Sequence, residues 1–233
     1  AGMVRHTLAR LAKEQRPFAW SDADIATIVL GHNPNQAGRL VRTNPDEPRF
    51  SYLPLPSIEH RGPRGRYVGM IRRIMVVGRP GMEQEIAWVK QALSGADLIE
   101  EHTDERQALL SLLHRQDWVA RQYFEPSSVW TTVSPVVIPG FDDRSGKKTD
   151  KLLRKALIQA GFREELVQYA ELDWRGVGYL PGLSLAKEYR RPLNVQEAPV
   201  RHVTIKWRDC HGQPISIPGP IAIGSGRFRG LGL

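Results

Sequence analysis

Residues 200–208 read VRHVTIKWR, and their side chains alternate. Val203, Ile205 and Trp207 fall on one face of an extended chain, and Thr204, Lys206 and Arg208 on the other. A strand of this pattern needs a sheet with one covered face. The helix read over 148–160 offers a cover: Leu152, Leu153, Ala156 and Leu157 point inward at helical spacing, and Gly161 is its stop. VWTTVSPVVI before that helix and VQYAELDW after it read as further strands. The second half therefore runs β-α-β-β into a glycine-rich end.

The first half reads α-β-β-α. A helix over 4–13 carries Val4, Leu8 and Leu11 on one stripe, and Pro17 closes the region. SDAD at 21–24 is a capping-box pattern that starts a second helix, running through Ile25 and Ile28 to Gly31. A polar Gly/Pro/Asn loop leads to strands at 49–58 and 68–78, and Pro54 and Pro56 make the first an edge or irregular strand. EHRGPRGR is the hairpin loop between them. Helices are expected over 83–93, burying Ile86, Val89 and Leu93, and over 104–114, carrying Leu109, Leu110, Leu112 and Leu113. EPSSV at 125–129 reads as a link, dividing the chain into domains 1–125 and 126–233. Two successive βαββαβ-like patterns, the first without its opening strand, give an α+β class of tandem ferredoxin-like (RRM-like) domains.

Charge narrows the partner. The chain has 233 residues, 41% of them hydrophobic, with 33 Lys and Arg against 25 Asp and Glu, a formal charge of +8. Between Arg190 and Leu233 seven cations face only Glu197 and Asp209. A basic excess of this kind is the electrostatic footprint of a nucleic-acid partner. No apolar run approaches the roughly 18 residues of a membrane span. A single cysteine, Cys210, allows no internal disulfide and fits a reducing cytoplasm.

The last residues, PGPIAIGSGRFRGLGL, mix glycine with cations. Glycine at Gly224, Gly226, Gly230 and Gly232 permits close backbone approach, and successive N–H groups can cradle an anion. Arg227 and Arg229 add charge-assisted phosphate bonds. A flexible terminus is the bland alternative, opposed by the apolar PIAIG and LGL. Lys148, Lys151 and Lys155 share one helix face that can follow a phosphate backbone or simply face solvent. Lys206 and Arg208 add charge beside the glycine end. Trp174 and Trp207 read first as core residues and second as base-stacking platforms.

His32 and His60 are the proton-transfer candidates. In metal-free RNA cleavage one group takes the ribose 2′-OH proton. That oxygen attacks the adjacent phosphate, and a second group protonates the departing 5′-oxygen, leaving a 2′,3′-cyclic phosphate. Tyr52 is placed to orient substrate, and Arg61, Arg64 and Arg66 to hold phosphate. From the pattern alone each histidine reads first as an ordinary loop or capping residue. There is no Cys-x-x-Cys, His-Glu-x-x-His, Walker loop or Gly-x-Ser-x-Gly, so no metal or other cofactor is expected.

GPIAIGSGRFRGLGL resembles the glycine-rich loop of the RAMP superfamily of CRISPR-associated proteins. With LGH at 30–32 and RFSYLPLPSIEH at 49–60, the chain is similar to the fused Cas subunit of type I-G (formerly I-U) CRISPR systems. That subunit joins a backbone domain to a repeat endoribonuclease. The resemblance implies tandem ferredoxin-like domains and metal-independent cleavage of CRISPR repeat RNA. It also implies partnership with other effector-complex subunits, a glycine-loop role at Gly224, Gly226, Gly230 and Gly232, and catalysis at His32 and His60. Fused members are longer, so the chain corresponds to the nuclease half. RGPRGRYVG after His60 is arginine-rich where relatives carry histidine and acidic residues, which leaves the second proton-transfer group open. A non-catalytic RNA-binding subunit is the rival reading.

Overall fold

Apolar spacing sets the helices, and a sheet built around the alternating stretch sets the core they cover in the second half of the chain. The computed structural model describes residues 1–31, 48–60, 65–100, 103, 105–114, 116–140, 147–191 and 195–233. The chain divides into two units. One takes Ala1–Leu53 and Ile74–Arg115, the other Pro54–Arg73 and Gln116–Leu233.

In the first unit, α1 (Gly2–Gln15) buries Val4, Leu8 and Ala12 as a stripe. It ends where Arg16 turns left-handed before Pro17, which cannot extend it. The capping box of α2 (Asp22–Ile28) forms as its sequence demands. Asp24 N–H donates to Ser21 Oγ at 3.2 Å, and Ser21 N–H donates to the Asp24 carboxylate at 2.8 Å. Strands β1 (Ser51–His60) and β2 (Arg66–Val77), most of whose residues (Pro54–Arg73) belong to the second unit, pair as a two-stranded sheet, so β1 keeps Pro54 and Pro56 on an edge. Helix α3 (Glu83–Leu93) buries Val89, and its Trp88 meets Trp20 edge-on at 5.4 Å.

The helix expected over 104–114 does not form. Instead β3 (Asp97–Ile99) pairs antiparallel with β4 (Arg106–Leu109). Of the four leucines only Leu110 packs on the core; Leu109, Leu112 and Leu113 are 67%, 53% and 49% exposed. A leucine stripe without a surface to cover gains nothing from helical geometry. The buried Thr7 hydroxyl of α1 is satisfied by the backbone of Asp97 and Ile99.

The second unit carries helix α4 (Trp118–Gln122) and a sheet centred on the alternating stretch. Strands β5 (Val129–Thr131) and β6 (Val136–Val137) run along one side of β8 (Val200–Lys206), and β7 (Glu171–Arg175) along the other, all antiparallel. VWTTVSPVVI is thus one strand broken in the middle, where Val203 N–H donates to the Thr132 hydroxyl at 2.9 Å. Helix α5 (Lys147–Gln159) lays Leu153, Ala156 and Leu157 into a core with Val203, Ile205 and Trp207. VQYAELDW is strand only from Glu171. Val167 and Tyr169 belong to α6 (Glu164–Tyr169), whose final carbonyls are gathered by Arg154 of α5.

The glycine-rich end is ordered. Ile221 and Ile223 join the α5 core, and Leu231 packs with Val137 and Val200 on the opposite side of the sheet. Gly224 has φ +87°, and a Cβ there would stand 2.5 Å from the Val137 carbonyl oxygen and 2.7 Å from Val136 Cγ1. Only glycine fits.

Candidate nucleic-acid interface

The buried stripe of α5 fixes what the helix shows to solvent. With Leu153, Ala156 and Leu157 inward, Lys148, Lys151 and Lys155 are exposed. About 10 Å of helix axis separates the first from the last. At the C-terminal end of α5 the glycine-rich segment closes against it. Arg227 donates from Nη2 to the Gln159 carbonyl at 3.0 Å and from Nη1 to Gly224 O at 3.2 Å. Its guanidinium carbon lies 4.4 Å from the Phe228 ring centroid. Gln159 O is a last-turn carbonyl at the negative pole of the helix, where a cation is favoured. The glycine end thus docks on the C-terminal turn of the helix that carries the lysine face.

The glycines serve this arrangement from within. Ser225 N–H donates to Val137 O at 2.9 Å, Arg229 N–H to Gly226 O at 2.9 Å, and Leu231 N–H to Gly226 O at 3.2 Å. A Cβ on Gly226 would stand 2.8 Å from Leu231 Cβ, and one on Gly232 would run into the Ile223 carbonyl. Gly230 takes φ +85° to close the short helical turn at 227–229. The amides named are already bonded, Ser225 to β6 and the other two within the loop, so these N–H groups are not turned to an anion.

Not every expected cation is equally available. Lys206 Nζ lies 3.5 Å from Glu171, and Arg208 pairs with the same carboxylate. The Arg208 hydrogen bond, with the charges of both cations, holds the Glu171 carboxyl below its ordinary range. Arg154, beside the lysine face in sequence, is turned onto Asp150 and the end of α6.

His60 is exposed at the end of β1, and Arg66 is exposed at the start of β2. His32, Arg61 and Arg64 lie outside the described residues. Tyr52 is buried at 1% exposure, and its hydroxyl donates to Val29 O at 3.0 Å. Burial pushes the phenol far above its ordinary pKa, so it stays protonated. Val29 precedes His32 by three residues, and Phe50 N–H holds Ile28 O at 2.9 Å. Tyr52 thus grips the backbone that leads to His32. Trp207 is fully buried and Trp174 packs on the same core.

A family model for CRISPR-associated proteins of the GSU0054 family matches residues 1–233. The chain belongs to this family. No curated protein and no solved structure matches it. The three segments that resembled CRISPR-associated proteins pointed to the right kind of system. In this CRISPR-associated chain no described helix is long and apolar enough to cross a membrane. Nor, among the described residues, do three His, Cys, Asp or Glu side chains gather as metal ligands would.

One feature of the second unit escaped sequence reasoning. A cleft of about 180 Å³ lies between β1, β2 and α4, with Trp118 on its rim. Asp117 caps α4, accepting from Ala120 N–H at 2.8 Å, and Arg73 of β2 donates to it at 2.8 Å. That hydrogen bond holds the Asp117 carboxyl below its ordinary range. The available signal was Asp117 ahead of the apolar pair Trp118-Val119, an N-cap before a short helix.

Proposed function

We propose that this CRISPR-associated protein is a metal-independent endoribonuclease that cuts the repeats of precursor CRISPR RNA. The observation that supports its RNA-binding part is the Arg227–Gln159 bond, which seats the glycine end on the last turn of the helix that carries Lys148, Lys151 and Lys155. Arg229 extends that surface, and Lys206 and Arg208 contribute through their balance with Glu171. Gly224, Gly226, Gly230 and Gly232 shape the loop that presents the arginines. Arg61, Arg64 and Arg66 follow His60 and hold the phosphate at the cut.

In this reading His32 and His60 transfer the protons. One deprotonates the 2′-OH, which attacks phosphorus, and the other protonates the 5′-oxygen as the P–O bond breaks. The products are a 2′,3′-cyclic phosphate and a 5′-OH end. Tyr52 is a positioning residue, acting through Val29 on the approach to His32. The second unit supports a ferredoxin-like assignment, because its β-α-β-β order places β8 between its first strand and β7. Tandem ferredoxin-like domains, cytoplasmic action and partnership with other effector subunits belong to the same proposal. The rival reading, an RNA-binding subunit without cleavage, draws support from the same α5 surface, which needs no catalytic group.

The test is to incubate the purified chain with CRISPR repeat RNA in EDTA and compare His32→Ala and His60→Ala. One cut ending in a cyclic phosphate, lost in either variant while binding persists, is expected. Tight binding without a cut, with or without added metal, sinks the nuclease and leaves the RNA-binding subunit.

A further inference from the structure

Backbone braces hold both outer edges of the hairpin that carries His60. A two-stranded sheet is marginally stable by itself, and its outer edges leave peptide groups unpaired. On the β1 side, Tyr123, just past α4, donates its hydroxyl to Pro56 O at 2.8 Å, and Gln122 Nε2 donates to Ile58 O at 3.4 Å. On the β2 side, Val68 N–H donates to Pro181 O at 2.8 Å. Ile58 is two residues from His60, and Val68 is two residues from Arg66. All of these groups belong to the second unit.

The brace on β2 requires glycine. Gly182 has φ +91°, and a Cβ on it would run into the Val68 carbonyl oxygen and stand 2.9 Å from Tyr67 Cζ. Only a residue without a side chain lets the loop come so close to a strand edge. The loop is in turn tied to the larger sheet. Ala186 N–H donates to Gly176 O at 2.8 Å and closes it. Arg175 of β7 donates to Val177 O at 3.2 Å and to Gly178 O at 2.9 Å. Nε2 of the buried His202 of β8 lies 3.1 Å from Ser184 O. The hairpin is thereby anchored to β7 and β8 rather than left to its own two strands.

Gly69 of β2 lies against Ser57 and Glu59 of β1, since a Cβ there would stand 2.8 Å from Glu59 Oε1 and would also strike Ser57 Oγ. The braced stretches therefore face each other, with His60 and Arg66 next beyond them. We infer that Gly182 and Tyr123 are positioning residues of the cleavage reaction. They fix the two outer edges of the hairpin, and so set where the His60 imidazole and the Arg66 guanidinium stand against the scissile phosphate. A proton-transfer group must come within about 2.6–3.2 Å of its partner. A misplacement of about 1 Å in its support can cost ~100-fold in rate. The inference rests on the nuclease reading above, and on His60 within it.

The test compares the wild-type chain with Gly182→Ala, Tyr123→Phe and His60→Ala on CRISPR repeat RNA in EDTA, measuring affinity and the single-turnover cleavage rate separately. Gly182→Ala should slow the rate at saturating protein about 10- to 100-fold and leave affinity unchanged. Tyr123→Phe removes one hydroxyl and should slow it up to about tenfold, the value of one hydrogen bond. It alone is read if the circular dichroism of Gly182→Ala departs from wild type. Gly161→Ala, at φ +101° with nothing within 4 Å of the added Cβ, carries backbone strain alone and should cleave as wild type. Wild-type rates in Gly182→Ala and Tyr123→Phe, with cleavage still lost in His60→Ala, overturn the positioning role and spare the nuclease. Affinity and rate falling together, or Gly161→Ala slowing as much as Gly182→Ala, marks a general loss of structure and also overturns it. A His60→Ala chain that cuts at the wild-type rate overturns His60 and its braces together. A wild-type chain that binds the repeat without cutting it overturns the nuclease reading and the positioning role with it.

Discussion

Gly224→Ala is the most informative single substitution, because it separates two reasons for a glycine in the C-terminal loop. At φ +87° any residue with a Cβ is strained, at a cost of about 1–2 kcal/mol. The new methyl would stand 2.5 Å from Val137 O and 2.7 Å from Val136 Cγ1, in a strand that cannot retreat without disturbing its pairing with β8. Overpacking of this kind costs about 1–3 kcal/mol. Together the second unit should lose about 2–5 kcal/mol. With a urea slope of about 2 kcal/mol per molar, the middle of the usual range, its midpoint should fall by about 1–2.5 M. Tryptophan fluorescence reports the transition, since Trp207 is buried in that core. Gly161→Ala is the control. Its φ is +101° but no atom lies within 4 Å of the added Cβ, so only the backbone penalty applies. A Gly224→Ala protein as stable as wild type, yet unable to bind RNA, would refute the packing argument and show that a ligand demands the glycine.

Two further outcomes follow from the same unit. Arg227→Met should lower stability by about 1–2 kcal/mol through loss of the α5 C-terminal cap. It should also weaken RNA binding and reduce the slope of log affinity against log salt by about one; an unchanged slope would remove Arg227 from the interface. His202 is fully buried, with Nε2 3.1 Å from Ser184 O, and burial lowers its pKa. The unfolded chain then binds the proton more tightly, so this contribution is complete above about pH 6.5 and is lost as pH falls through the lower folded value. His202→Leu should flatten the melting temperature between pH 6.5 and pH 5, with His202→Gln as a polar comparison. A slope equal to wild type in both would exclude His202 as its source.

Local rules made much of the fold legible. The spacing in α1, α3 and α5, the Ser21–Asp24 box and the alternation of β8 each specify their element without help from distant residues. The leucines at 109–113 misled because helical periodicity counts apolar residues, not the partners available to cover them. α6 was missed because its carbonyls depend on Arg154, which approaches from the preceding helix. At the site, the lysine face and the glycine end were each visible, but nothing in the spacing told that Arg227 joins them. Tyr52 read as a residue that orients substrate, because a strand pattern does not reveal that its hydroxyl is buried against Val29 O. The Trp118 cleft needs β1, β2 and α4 together, and no local window contains all three.

The chain passes between its two units at 53/54, 73/74 and 115/116. Neither unit is one uninterrupted run of sequence. A single recombination breakpoint in the gene therefore cannot transfer one unit whole and leave the other intact. The second unit's 20-residue insert, Pro54–Arg73, would have to travel with the distant Gln116–Leu233 segment or be supplied anew. Such an arrangement favours inheritance of the two units as one genetic block over their exchange as separate modules.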